Sequence, residues 1–177
     1  MSELTLELRM LDEVGHINLR GDAGNAAFKK AAEKTLGQEL PVQPNSLTRA
    51  DHCVCWLGPD EWLVMTPAET APALVEELQQ ALDGQHVAVN ELSGGQVALR
   101  LAGVAAREVL AKGCTLDFHP DEFPVGACAQ SGVAKASVLI ACVTEPDSFD
   151  IVVRRSFLDY LLKWFDTAGS EARIQFR

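Results

Sequence analysis

"GHINLRGDAGNAAFKKA" (residues 15–31) and "GQVALRLAGVAAREVLAKG" (residues 95–113) are two versions of one pattern. Each opens on a glycine, Gly15 or Gly95, followed by an alternation, Ile17/Leu19 or Val97/Leu99, that predicts a half-buried strand. Each strand is read as ending in an arginine, Arg20 or Arg100. A second glycine, Gly21 or Gly103, then introduces a helix with paired apolar positions, Ala27/Phe28 or Val109/Leu110. Further on, "GPDEWLVM" (58–65) answers "EPDSFDIV" (145–152). Pro-Asp suits a turn, and the alternation after it suits the second strand of a hairpin.

Helices are expected after both hairpins, over Ala68 to Asp83 and Ser156 to Thr167, with a partial strand around His86 to Leu92 between the copies. The predicted fold class is therefore α+β. Two ferredoxin-like halves of the split βαβ kind, related by a pseudo-two-fold repeat, make one compact domain over residues 1–177. The repeats span about 15–83 and 95–167.

The two late helices differ. The first aligns Ala71, Leu74, Val75, Leu78 and Leu82 on one stripe and stops near Gly84. The second starts with Ser156 and Asp159 at capping-box-like spacing. Its Phe157, Leu158, Tyr160, Leu161, Leu162, Trp164 and Phe165 go almost all the way round. Such a helix must bury more than one face, and aromatic residues and arginine are enriched at interfaces. Arg154, Arg155, Phe157, Tyr160 and Trp164 are therefore the candidate subunit interface, with a helix wedged within the chain as the plainer reading.

A formal charge of −10 argues against an electrostatic grip on nucleic acid or anionic lipid. The start, MSELTLELRM, lacks a basic region followed by an apolar run, and the longest apolar stretch, Val138 to Val143, is too short to span a bilayer. Five cysteines, an odd count, predict reduced thiols in the cytoplasm.

The segment "AKGCTLDFHPDEFPVGACAQ" (111–130) looks most like chemistry. Zinc prefers four ligands in closely spaced pairs, and Cys114, His119 and Cys128 supply three at no such spacing. Cys114 follows a helix C-terminus, where the dipole disfavours a thiolate. Gly113 is read as the stop of that helix. A packed connection is favoured over a metal site or a nucleophile. Cys53 and Cys55, on one face of a strand opposite Val54 and Trp56, are likewise assigned to core rather than metal. No catalytic residue and no metal site is assigned, and no cofactor-binding residue is identified.

"NLRGD" (18–22), "LGPDEWLVM" (57–65), "LRLAGVAAREVLAKGCTLDFHPDEFPVGACAQ" (99–130) and "FDIVVRRSFLDYLLKWF" (149–165) resemble the gamma subunits of bacterial heterotetrameric sarcosine oxidases. The resemblance runs from about Leu8 to Phe165. It implies a non-catalytic subunit of a cytoplasmic complex with alpha, beta and delta partners. That complex converts sarcosine, tetrahydrofolate and oxygen to glycine, 5,10-methylenetetrahydrofolate and hydrogen peroxide. Its FAD, covalent FMN, NAD and zinc are expected in the partner subunits, with the folate site on alpha. The implied fold is shared with folate-binding aminomethyltransferases. The resemblance assigns no catalytic role to Lys112, Cys114, His119, Arg154 or Arg155, for which structure or docking is expected. The rival readings are a stand-alone folate-dependent one-carbon transfer enzyme, for which Asp60, Glu91 and Asp117 are the available carboxylates, and a flavoenzyme assembly factor.

Overall fold

A computed structural model describes residues 5–176. In chain order its elements begin with strands β1 (Thr5–Met10) and β2 (Val14–Arg20), helix α1 (Ala26–Leu36), and strands β3 (Leu47–Arg49), β4 (Cys53–Gly58) and β5 (Glu61–Pro67). Helix α2 (Ala71–Ala81), strands β6 (Ala88–Glu91) and β7 (Gln96–Ala102), and helix α3 (Ala106–Ala111) follow. Strands β8 (Cys128–Val133), β9 (Ala136–Cys142) and β10 (Ser148–Arg154), helix α4 (Leu158–Ala168) and strand β11 (Arg173–Phe176) complete the chain. The result is a mixed α/β fold with two sheets. One has the order β3-β4-β5-β2-β6, the other β11-β1-β7-β10-β9-β8. All neighbours are antiparallel except β1 and β11. Among the described residues no helix is long and apolar enough to cross a membrane.

Contacts divide the chain into two units, Glu13–Gly94 and a second that joins the segment up to Asp12 to Gly95 onward. In the first unit, Ile17, Leu19, Val54, Trp62 and Val64 of the sheet share one core with α1 and α2. Helix α1 buries Phe28, Ala32 and Leu36 at helical spacing. It is capped by Asn25, whose Oδ1 accepts from Ala27 N at 2.9 Å, and ends on Gly37 at φ 67°. Gly21 is glycine for space: a Cβ there would lie 2.3 Å from the Phe28 ring. Buried Trp62 satisfies its only polar atom by donating from Nε1 to Pro41 O at 2.8 Å. The α2 stripe read from the sequence is the buried one. Cys53 and Cys55 are buried in β4 with their sulfurs 3.9 Å apart, while Val54 joins the helix-side core.

In the second unit, β1 is inserted between β7 and β11, and Leu6 and Leu8 lie in the same core as Leu99, Leu101, Ile140 and Phe149. Its arrival constrains Gly103. That residue sits at φ 123°, and a Cβ would fall 2.4 Å from Thr5 O. Helices α3 and α4 cover this core with Val109, Leu110, Leu161 and Phe165. Burying one such Leu or Phe is worth about 1.5–3 kcal/mol.

Four local expectations change. Arg100 does not end its strand, because β7 continues to Ala102; the arginine stays within the sheet by pairing with Asp150 on β10. Helix α4 is entered through a 3₁₀ turn, Arg155–Phe157, and no side chain caps it, so the Ser156/Asp159 box is not formed. Gly113 does follow the end of α3, but without a positive φ; glycine is required there by a neighbour, since a Cβ would meet the Trp164 ring at 2.3 Å. The strand expected around His86 to Leu92 shortens to β6.

Candidate docking surface and clefts

Helix α4 is less symmetric than its composition suggests. Leu161 and Phe165 are fully buried, and Leu158, Leu162 and Trp164 pack half-buried against the same core. The expectation of apolar residues facing every direction is thus corrected: most of them are absorbed by the unit's own core. Phe157 and Tyr160 are not absorbed, at 39% and 36% exposed. Tyr160 accepts from Lys135 N in the β8–β9 turn at 3.3 Å. Arg154, Arg155 and Lys163 are exposed in the same stretch of chain. The Arg155 amide donates to Gly95 O at 2.9 Å, which anchors the 3₁₀ turn to the start of β7. The surface left over is small, aromatic and basic, on a chain whose formal charge is −10.

The segment 111–130 is a fastened connection. Arg107, which the sequence reading passed over, holds it. Its Nε donates to Asp147 at 2.8 Å, Nη1 donates to Phe118 O at 2.5 Å and Phe123 O at 3.2 Å, and Nη2 donates to Pro146 O. Its guanidinium carbon stands 5.1 Å from the centroid of the Phe149 ring, which packs with Phe118 and Phe123. One planar fork therefore ties the segment to the β9–β10 turn. The motif's three candidate ligands are not brought together. Cys114 is buried and donates to Ser131 Oγ at 3.4 Å, and Cys128 is buried in β8. His119 is exposed, its Nδ1 accepting from Asp121 N at 3.3 Å. Lys112 caps α4, donating to Ala168 O and Glu171 Oε2, each at 2.9 Å. Among the described residues no group of three His, Cys, Asp or Glu is placed to hold a metal.

Each unit has a cleft of its own. In the first, a cleft of about 700 Å³ lies at the end of β2, with Arg20, Asp60, Asn25, Gln85 and His86 around Phe28. Its Arg20–Asp60 pair, at 3.0 Å, is half-exposed and weakly stabilising. In the second unit, a cleft of about 200 Å³ is lined by Glu7, Arg9, Arg100, Ala102, Thr144, Glu145 and Ser148. The carboxylates available for folate chemistry are divided between the two units. Asp60 lines the larger cleft, Glu91 sits on β6, and Asp117 accepts from His119 N at 2.8 Å.

His52 and Cys142 titrate away from their ordinary values. Burial lowers the pKa of His52, opposed by the Asp51 carboxylate. Its Nδ1 is 2.9 Å from Thr66 Oγ1, which is 3.0 Å from Thr70 Oγ1, which donates to Pro67 O. Each hydroxyl has one proton, so the chain runs from His52 Nδ1–H to Pro67 O. Burial raises the Cys142 thiol, with Arg107 opposing and Asp147 and Asp150 adding to the rise.

Comparison with known proteins follows the same outline. The model of the sarcosine oxidase, gamma subunit family matches residues 20–171. The sarcosine oxidase subunit gamma of Corynebacterium sp. (strain U-96) is 35% identical over 165 residues, 93% of this chain and 78% of that one. A chain of the heterotetrameric sarcosine oxidase from Corynebacterium sp. U-96 superposes with a TM-score of 0.89 at 32% identity, covering 97% of this chain and 87% of that one. Aminomethyltransferase T of the glycine cleavage system from Bartonella henselae gives a TM-score of 0.69 at 17% identity, over 99% of this chain and 48% of that one. At that identity it is a likeness of fold.

Proposed function

The chain belongs to the sarcosine oxidase gamma subunit family, and on that premise we propose that it is a non-catalytic, structural subunit of a cytoplasmic heterotetrameric sarcosine oxidase. The observation that carries this reading is the match of 97% of the chain to one chain of such a heterotetramer. The segments that first resembled the family now have physical roles of packing and fastening, centred on Arg107, Lys112 and Cys114. The oxidation of sarcosine, the capture of its one-carbon unit by tetrahydrofolate, and the FAD, FMN, NAD and zinc belong in this reading to the alpha, beta and delta partners. A stand-alone folate enzyme is not favoured, since the matching family model and the curated relatives are sarcosine oxidase gamma subunits.

The docking surface in this reading is the aromatic–basic end of α4: Phe157 and Tyr160 as apolar anchors, Arg154, Arg155 and the rim of Trp164 beside them. Exposed aromatics flanked by arginine have the composition of an interface. The finer fold assignment is also ours: the two units are ferredoxin-like copies of one unit. In each, the strand before the first helix lies beside the second strand of the Pro-Asp hairpin. In each, the glycine after that strand donates to the aspartate of the turn, Gly21 N to Asp60 O at 3.1 Å and Gly103 N to Asp147 O at 2.9 Å. These bonds align Gly21 with Gly103, two residues from the Arg20/Arg100 alignment suggested by the sequence.

The test is co-expression with the flavin-bearing subunits. Phe157→Ser with Tyr160→Ser should leave the isolated chain folded and remove it from the purified complex. Normal assembly of the folded double variant would place the interface elsewhere.

A further inference from the structure

On β7, Val97, Leu99 and Leu101 point into the helix-covered core, so Arg100 and Ala102 point to the opposite face of the sheet. The 200 Å³ cleft of the second unit opens on that face. We propose that it binds a small zwitterion, an α-amino acid with a free carboxylate and a free ammonium group. The proposal is independent of the assembly role.

Arg9 and Arg100 are directly opposite each other in the β1–β7 register. Like charges so placed are destabilising unless something lies between them. Arg100 is held by Asp150, with Nε and Nη2 at 2.5 and 2.7 Å from its two oxygens. Arg9 has no carboxylate partner among the described residues. Glu7 projects from the same face of β1, and Glu145 stands in the β9–β10 turn; both line the cleft and neither closes an ion pair with Arg9. Opposite charges around one small space are kept apart instead of quenching each other.

Ser148 adds a built element. The residue is 7% exposed, its amide is fixed to Glu145 O at 3.1 Å, and its hydroxyl makes no hydrogen bond to another described residue. That hydroxyl lines the cleft, where it is open to a ligand. Ala102, opposite Ser148 in register, leaves the space beside it open. The carboxylate of a bound amino acid would meet Arg9 and Ser148, with Thr144 in reach of the same wall, and its ammonium would meet Glu7 and Glu145. With Asp150 included, two arginines face three carboxylates, a balance that suits a ligand carrying both charges better than a simple anion. The volume is below the roughly 300–1,000 Å³ of drug-sized sites, so the ligand is small.

The full chain is titrated by NMR with glycine, and separately with acetate and methylammonium, the two halves of the zwitterion. Glycine should bind at millimolar concentration, and each half at least about 10-fold more weakly, the loss of one charge-assisted contact. Arg9→Gln and Glu7→Gln should each weaken glycine by a similar factor while the fold is retained, and Arg9→Gln should leave the ligand-free melting temperature no lower, since it removes a like-charge pair. Ala102→Leu, which fills the space without touching a charge, should abolish binding. No glycine binding, acetate binding as tight as glycine, or unaltered binding by the three folded variants would each overturn the proposal.

Discussion

Replacing Arg107 with alanine tests whether one guanidinium holds the 118–123 segment to the β9–β10 turn. The side chain is 13% exposed and makes an ion pair with Asp147 and hydrogen bonds to three carbonyls, those of Phe118, Phe123 and Pro146. Asp147 is 48% exposed, so water takes over its charge when the arginine is removed, and the ion pair itself counts for about 1 kcal/mol or less. The carbonyls matter more. Hydrogen bonds from a charged donor contribute about 1.5–3 kcal/mol each, and sharing one fork makes them less than additive. Loss of the stacked guanidinium over Phe149 adds up to about 1 kcal/mol. The expected total is about 3–4 kcal/mol. In urea denaturation this appears as a lower midpoint with unchanged m-value, and in a thermal scan as a fall of roughly 6–16 °C, at about 2–4 °C per kcal/mol. Arg107→Lys should recover less than half of the loss, because a point charge cannot reach three carbonyls and a carboxylate at once. Asp147→Asn should cost about 1 kcal/mol. A loss below about 1 kcal/mol in Arg107→Ala, with the native fold retained, would refute the clamp.

The other expectations concern separate features. Gly103→Ala, at φ 123° and with Thr5 O 2.4 Å from the new Cβ, should cost at least about 3 kcal/mol in urea denaturation, whereas Gly37→Ala, at φ 67° with open space around it, should cost about 1–2 kcal/mol. The pKa of His52 is lowered on folding, so the unfolded chain takes up its proton first as the pH falls. Stability is therefore full above the unfolded value of about 6.5 and declines as the pH drops through it towards the folded value. His52→Gln should flatten that part of a stability–pH profile. All five cysteines are buried and none is in a disulfide. A thiol reagent should titrate five groups in denaturant and react slowly with the native chain, Cys142 among the slow ones because burial holds its thiol protonated.

What the residues determined on their own was local and periodic. The alternations in β2 and β7, the stripe on α2 and the Pro-Asp turns depend on near neighbours in the chain, and they are where the sequence placed them. The motifs of 99–130 and 149–165 carried the family, because a motif is a string and needs no coordinates to be matched. What the tertiary structure decided was which distant groups share an atom's environment. Nothing in Gly113 announces that Trp164, fifty-one residues on, occupies its missing Cβ, so a space requirement read as a helix stop. The β1 segment shows a short alternation of its own, but only strand pairing puts it between β7 and β11 and explains Gly103. Arg107 looked like one more polar residue on a helix until its fork met three carbonyls from two other segments. Helix α4 was apolar by composition, yet how much of it faces outward depended on the core it packs against, which absorbed all but Phe157 and Tyr160. Periodicity reports the face of an element; what covers that face is a property of chain segments remote in sequence, and folding alone brings them together.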